Sequence, residues 1–462
     1  MKYASTRGKA PVLSFDDVLL TGLARDGGLY LPQSWPQFSA DDIRSMRGLS
    51  YEDLAIRVMY PFVEGSIPKD DFSEIVRDAY KDFGHPAVAP LKQLDTDQWV
   101  MELFHGPTLA FKDFALQLLG RLFDYVLNKR GERVTIVGAT SGDTGSAAIE
   151  ACRDRDCIDI FIMHPKGRVS DVQRRQMTTI MSKNVHNIAL EGTFDDCQDH
   201  VKAMFNDLEF RDAYNLSAVN SINWARIMAQ ITYYFWAAVQ VGSPDRKMRF
   251  AVPTGNFGNV FAGFCAKQMG LPIEKFIIGS NRNDILTRYI QTGVMKMETV
   301  EPSLSPSMDI QISSNFERLL AHYFEGDGSA LAQSLSDFRD TGVVDFGADR
   351  WKEMTKLFEA GRLDDEETKK AIQEFFQATG ELFDPHSVIG CAVARDAKPS
   401  KAITIALATA HPAKFPAAVK DACGVHPDLP DRLSDLFDRD ERCCVLQNDL
   451  SAIQSYIKET LA

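Results

Sequence analysis

Apolar positions along this chain change their spacing twice. Up to about residue 100 they form short helical patterns broken by turns, with Gly27-Gly28 ahead of Leu29-Tyr30-Leu31-Pro32 and with Asp41-Asp42 and Ser50 placed as helix caps. From Phe114 onward, Ala115, Leu118, Leu119, Leu122, Phe123, Val126 and Leu127 recur at helical spacing. From Arg133 short β-rich runs alternate with amphipathic helices: Val134 to Val137, Ile158 to Met163, Val185 to Leu190, Phe250 to Val252 and Phe276 to Ile278, with a last run, ITIALAT, from Ile403. That alternation predicts an α/β protein with parallel sheets, in which ligands bind where strands end and helices begin. Residues from about 320 to 380 read as polar surface helices and turns, with Asp364-Asp365-Glu366-Glu367 as a solvated helix face. Beyond Ala410-His411-Pro412 the tail reads as helical and peripheral, and no internal repeat or low-complexity linker interrupts the chain.

Composition narrows the possibilities. At 462 residues, 45% hydrophobic and 25% charged, the chain has ample material for two or three domains with a core. A net charge of −13 argues against nucleic acid as a main partner, so an anionic ligand needs a local positive site. The eight cysteines show no metal-ligand spacing, and Cys443-Cys444 are adjacent, which fits reduced thiols. The segment MKYASTRGKAP lacks an apolar signal core, and no apolar run reaches membrane-spanning length. A cytoplasmic protein without metal or membrane partner is expected.

Chemistry concentrates in loops. In HGPTLAFKDF, His105 to Phe114, Gly106-Pro107 makes a turn and Lys112 falls at or just before a helix N-terminus. The positive end of the helix dipole and apolar neighbours both disfavour its charged form, which makes Lys112 a candidate Schiff-base former for an aldehyde, pyridoxal phosphate being the commonest partner. The alternative is a lysine whose stem packs while its ammonium reaches water. Gly255, Asn256, Phe257, Gly258 and Asn259 follow a strand and precede a small-residue helix, so converging N–H groups and a helix N-terminus form a phosphate cradle, or merely a turn. Ser141-Gly142-Asp143-Thr144-Gly145 also follows a strand; the hydroxyls of Ser141 and Thr144 and the free amides suit an α-carboxylate, or the segment is simply a capped helix with Asp143 as its acid. Arg226, three residues after Asn223 at the start of a long apolar helix, offers a fork for a phosphate, although an arginine there is more often a surface charge.

HGPTLAFKDF, together with GLARDGGLYLP from Gly22, SGDTG from Ser141, PTGNFGN from Pro253 and TAHPAKF from Thr409, resembles the corresponding segments of threonine synthases, in the same order and over nearly the whole chain. These are fold type II pyridoxal-phosphate enzymes, relatives of the tryptophan synthase β subunit. The resemblance implies two α/β domains with an N-terminal arm: a mostly helical arm over 1–100, a large cofactor-binding domain over 101–132 and 240–462, and a smaller inserted domain over 133–239. It implies Lys112 as the cofactor lysine, Gly255 to Asn259 as the cofactor-phosphate loop, Thr409 as the hydroxyl meeting the pyridine nitrogen, and Asn220, Ser221, Asn223 and Arg226 as the site for the substrate's own phosphate. Asp143 stands where many fold type II enzymes have Asn beside the cofactor's phenolic oxygen, which leaves its protonation open. His105 and Lys414 lie in matched segments without an assigned task, and His411 reads as a turn residue.

The implied reaction converts O-phospho-L-homoserine and water to L-threonine and phosphate with pyridoxal 5'-phosphate, in a monomer or homodimer. A phospho-lyase releasing 2-oxobutyrate or a serine or threonine dehydratase would use the same lysine; only the Ser221, Asn223, Arg226 site speaks against unphosphorylated substrates. A binding protein on an inherited scaffold has no chemical use for Lys112, Asp143, Thr409 and the GNFGN loop together.

Overall fold

The computed structural model describes residues 1–218 and 221–462, and the chain divides into two compact units, Met1–His105 with Ser221–Pro427, and Gly106–Asn220 with Asp428–Ala462. The larger unit is built on a six-stranded sheet, in the order Phe358–Arg362, Ile273–Ser280, Met248–Pro253, Ile403–Ala408, Gln98–Glu102, Leu91–Gln93. Every pairing is parallel except the last, where Leu91–Gln93 runs against Gln98–Glu102. Met248–Pro253 is buried throughout, as a central strand covered on both faces must be. Val388, Ile389, Ala392 and Val393 of helix Pro385–Arg395 pack with Ala251, Ile277 and Ala406 of the strands. The helix Trp224–Gln240 is almost entirely buried, and Tyr234 stands edge-on to Phe250 at 4.7 Å.

The smaller unit carries a five-stranded, all-parallel sheet in the order Cys444–Gln447, Val185–Glu191, Ile158–Pro165, Val134–Ala139, Leu216–Ser217. Its core joins Phe161, Ile188 and Leu190 to Cys197 and Met204 of helix Phe194–Asn206 and to Ile453 and Ile457 of helix Leu450–Leu461.

The structure departs from the sequence expectation in several places. Phe358–Arg362, in the stretch read as surface helices and turns, is an edge strand of the larger sheet; its FEAGR sequence carries no β-branched residue, so nothing local marks it. The tail is not only helical, since Cys444–Gln447 adds a strand beside Val185–Glu191. The compact units also cut the chain elsewhere than the expected borders. Residues 1–105 and the helix Trp224–Gln240 belong to the larger unit, while Lys112–Arg130 and residues 428–462 belong to the smaller. The acidic run is the start of helix Asp365–Thr379, where Asp364 and Glu367 close a reciprocal cap, as Ser39 and Asp42 do for Ala40–Arg44. No helix of the described residues is long and apolar enough to cross a membrane.

Candidate functional site

Lys112 is the first residue of helix Lys112–Arg130 and is 8% exposed. The turn before it is held by Asp113, whose carboxylate accepts from the Thr108 amide at 2.8 Å and the Thr108 hydroxyl at 2.6 Å, while Arg432 donates to the Gly106 carbonyl at 2.6 Å. Lys112 Nζ donates to Asp143 Oδ2 at 3.2 Å, and the other oxygen of Asp143 accepts from Gln173 Nε2 at 2.9 Å. The setting is therefore not purely apolar: a buried carboxylate, itself fixed by an amide, faces the amine.

Asp143 opens helix Asp143–Cys152, directly after strand Val134–Ala139. Gly142, with φ of 140°, has no room for a Cβ against the Gln173 amide, so a side chain there would push away the group that orients Asp143. The Thr140 hydroxyl accepts from the amides of Gly142 and Gly145 at 2.9 and 2.8 Å, so those two amides, expected to be open, are engaged. Ser141 and Thr144 are both half-buried beside them.

In the larger unit, Met248–Pro253 and Ile403–Ala408 are parallel neighbours, so the 254–259 loop and Thr409 leave the sheet at the same end. Helix Gly258–Gln268 starts in the loop, and its first intrahelical donor is Phe261, which leaves the preceding amides as a helix N-terminus offers them to an anion. Phe257 takes a left-handed φ of 61° and is fully buried against Phe316 at 5.1 Å. Gly255 passes so close to a second loop that a Cβ would lie 2.7 Å from the Ser307 carbonyl oxygen. Asn259 is buried; its Oδ1 accepts from Tyr233 at 2.7 Å and Tyr234 at 2.9 Å, and its Nδ2 has no partner among the described residues. Burial pushes both tyrosine hydroxyls well up, which keeps them donors.

The second loop supplies contacts that the sequence did not advertise. Ser313 Oγ donates to the Gly255 carbonyl, Ser314 Oγ to Asn256 Oδ1 at 3.3 Å, and Asn315 to the Asn256 carbonyl through both its amide and Nδ2 at 3.1 Å. Thr409 is buried, and its amide donates to Ser387 Oγ at 2.8 Å. Asp384 accepts from the Ser387 and His386 amides and from His386 Nδ1 at 2.7 Å, while His386 Nε2 accepts from the Ser307 amide at 3.3 Å. No periodicity or motif marks Asp384 or His386 as part of this framework; the only local hint is Asp384-Pro385, a helix-start pair.

Arg226 lies in the first turn of Trp224–Gln240 and is 5% exposed. Its Nε and Nη1 have no hydrogen-bond partner among the described residues, and burial alone lowers its pKa to about 10, so it remains a cation at neutral pH. Asn223 caps the same helix through the Ala225 amide at 3.0 Å and donates to the Leu19 carbonyl at 2.7 Å, so both ends of its amide are engaged in structure. Ser221 Oγ is 3.3 Å from Ser314 Oγ. Asn220 lies outside the described residues. His105 Nε2 pairs with Glu102 at 2.7 Å; Lys414 is fully buried; and His411 Nδ1 accepts from the Ala413 amide at 3.2 Å, the turn role expected of it.

Comparison with known proteins gives these groups a common context. The family model for the threonine synthase N terminus matches residues 2–80, that for pyridoxal-phosphate dependent enzymes 85–407, and that for the threonine synthase C-terminal region 387–457. A threonine synthase of Pseudomonas aeruginosa is 57% identical over 461 residues, 99% of this chain and 98% of its own length. One from Saccharomyces cerevisiae is 40% identical over 100% of this chain and 98% of its own. The crystal structure of a PLP-bound threonine synthase from Brucella melitensis superposes with a TM-score of 0.98 at 56% identity, covering 100% of this chain and 99% of that one. The Escherichia coli threonine synthase gives 0.83 at 31% identity, covering 99% and 100%.

The residues fit the cofactor of that family. A buried amine is present at Lys112, a helix N-terminus with the spare donor of Asn259 suits a phosphate, and Thr409 offers a neutral hydroxyl to a ring nitrogen. The fold is that of the type II pyridoxal-phosphate enzymes. This chain belongs to the threonine synthases, pyridoxal-phosphate-dependent enzymes of amino-acid biosynthesis.

Proposed function

We propose that the chain converts O-phospho-L-homoserine and water to L-threonine and phosphate, and that Arg226 is the residue that selects the phosphorylated substrate. The observation that carries this reading is the buried guanidinium with two nitrogens unpartnered among the described residues. A buried cation without an anion is costly, and a substrate phosphate supplies what it lacks. A dehydratase of unphosphorylated amino acids has no use for it.

Lys112 anchors the cofactor and then serves at the substrate's Cα and Cβ, its Nζ taking and returning protons; one amine can cover several transfers because it stays in reach. Asp143, fixed by Gln173, holds that Nζ on a defined side. When bound, the cofactor supplies a conjugated ring that draws electrons from the substrate carbons, which is what expulsion of phosphate from Cγ and entry of water at Cβ require. The amides of the 256–259 segment and Asn259 Nδ2 hold its phosphate, and Thr409 meets its ring nitrogen. Ser141 and Thr144 orient the substrate α-carboxylate. Arg226, with Ser221 beside it, offsets the charge that grows on the leaving phosphate. Asn223 serves chiefly by capping the helix that carries Arg226. The acidic balance of the chain leaves nucleic acid without a role, and its free thiols suit the cytoplasm.

The test is to incubate the protein, with pyridoxal phosphate, with O-phospho-L-homoserine and identify the organic product beside released phosphate. Threonine and phosphate in equal amounts support the synthase. Release of 2-oxobutyrate, ammonia and phosphate makes it a lyase on the same lysine, and turnover of serine or threonine alone removes Arg226 from the argument.

A further inference from the structure

Arg318 is fully buried in helix Phe316–Tyr323, and burial lowers its pKa to about 10, yet unlike Arg226 its donors are engaged. Nε and Nη2 both donate to the Tyr30 carbonyl at 3.1 Å, Nη2 also to the Ile222 carbonyl at 2.6 Å, and Nη1 to Asn315 Oδ1. With its oxygen taken by Arg318, Asn315 has its amide nitrogen fixed, and Nδ2 donates to the Ser221 carbonyl at 3.0 Å and the Asn256 carbonyl at 3.1 Å. The Asn315 backbone amide adds a second bond to the Asn256 carbonyl at 3.1 Å.

We infer that Asn315 and Arg318 form a buried positioning pair that sets the cofactor-phosphate loop and the substrate-phosphate turn in one register. The assignment of the two anion sites rests on the proposed function; the pair itself rests on these bonds. Asn256 lies in the loop that precedes helix Gly258–Gln268, and Ser221-Ile222 is the turn that enters helix Trp224–Gln240. Each is held by its carbonyl, so one carboxamide fixes the peptide planes of the Asn256 and Ser221 carbonyls relative to one another. A carboxamide suits the junction because it presents an acceptor to the guanidinium and two hydrogens to two carbonyls. A guanidinium suits the centre because its planar fork reaches several acceptors at fixed angles and stays charged when buried. Neither residue belongs to a motif read from the sequence, and neither is required merely to fill space, since the bonds go to backbone of distant segments.

The pair makes a prediction that a residue of one site alone does not: a change at Asn315 should weaken the cofactor and the substrate phosphate together. Asn315→Asp keeps the volume and the acceptor for Arg318 but turns the two donated bonds into contacts between a carboxylate and two carbonyls. The loss of two buried bonds corresponds to roughly tenfold or more in each dissociation constant. The measurements are pyridoxal phosphate affinity of the apo-protein by fluorescence titration, inorganic phosphate affinity by calorimetry, and KM and kcat for O-phospho-L-homoserine. The expected result is a rise in both dissociation constants and in KM, with a smaller change in kcat. Arg318→Met should reproduce both effects, and the double variant should cost less than the two single losses combined. Should Asn315→Asp destabilise the fold, Asn315→Ser, which removes Nδ2 and keeps a small polar group, is measured in its place. A folded variant with lowered thermal stability but unchanged cofactor and phosphate affinities overturns the inference, as does an effect confined to one of the two ligands. Arg226→Ala, measured alongside, separates the two ideas. If it leaves the phosphate dissociation constant and KM unchanged, the substrate-phosphate assignment fails; if it raises both while Asn315→Asp changes neither, only the coupling fails.

Discussion

Lys112 and Arg226 are each a cation in the first turn of a long, largely buried helix, where the helix dipole opposes a positive charge. They resolve that conflict differently. Lys112 has a carboxylate 3.2 Å away and is compensated within the protein. Arg226 has two guanidinium nitrogens unpartnered among the described residues. On the proposed function, Lys112 holds the cofactor and moves protons, and Asp143, fixed in turn by Gln173, gives its amine a defined place. On the same reading, Arg226 meets its anion only when the phosphorylated substrate arrives, and an unphosphorylated amino acid would not satisfy it. The contrast separates catalysis from selection, and it can be broken at either end.

The largest effect is expected at Lys112. Lys112→Ala should remove the covalent cofactor absorbance and lower turnover on the order of 10⁴-fold, the scale of losing a positioned acid–base group. Retained absorbance and turnover would sink the assignment. Arg226→Met should raise KM for O-phospho-L-homoserine about a hundredfold with cofactor affinity intact, the scale expected when a buried charge loses its partner. The same substitution should stabilise the substrate-free protein by about 2 kcal/mol, because it removes a buried charge without an anion. Thermal unfolding of the two proteins, with and without inorganic phosphate, checks the sign: phosphate should stabilise the parent more than the variant. A parent no less stable than Arg226→Met in phosphate-free buffer would mean that the guanidinium is already compensated.

Smaller effects refine the Lys112 side. Asp143→Asn keeps a hydrogen-bond partner for Gln173 but removes the negative charge facing Lys112, and kcat should fall about tenfold, as for loss of one charge-assisted bond. Steady-state kinetics beside the bound-cofactor spectrum measures it, and an unchanged kcat would make Asp143 a spacer. The smallest is Tyr233→Phe, which removes one of the two tyrosine bonds to Asn259 Oδ1 and should weaken cofactor affinity about fivefold, the value of one neutral hydrogen bond. A fluorescence titration suffices; no change would mean that Tyr234 alone orients Asn259.

What the sequence displayed and what it hid follows from the range of the forces involved. Lys112 was legible because its turn, its helix start and the apolar spacing after it are all local. The parallel strands 134–139, 158–165, 185–191 and 248–253 were legible because strands buried on both faces must be apolar. The edge strand Phe358–Arg362 was not, since its assignment depends on pairing with Ile273–Ser280 rather than on its own side chains. Asp143 was seen as an unusual acid, but its pairing with Lys112 joins residues 31 apart and leaves no local trace. Asn315 and Arg318 were invisible for the same reason, sitting after a loop of Ser, Asp and Gln that resembles ordinary surface. Arg226 was read as a fork for phosphate, but its isolation is a property of the folded interior alone.

The bond from Arg318 to the Tyr30 carbonyl spans 288 positions, and it carries a consequence for the order of events during synthesis. At ribosomal rates of about 5–20 residues per second, Tyr30 emerges roughly 15–60 s before the guanidinium that will bind it. The first strands of the chain are thus made early and secured late, and a nascent chain stalled before residue 318 lacks the group that fastens its beginning.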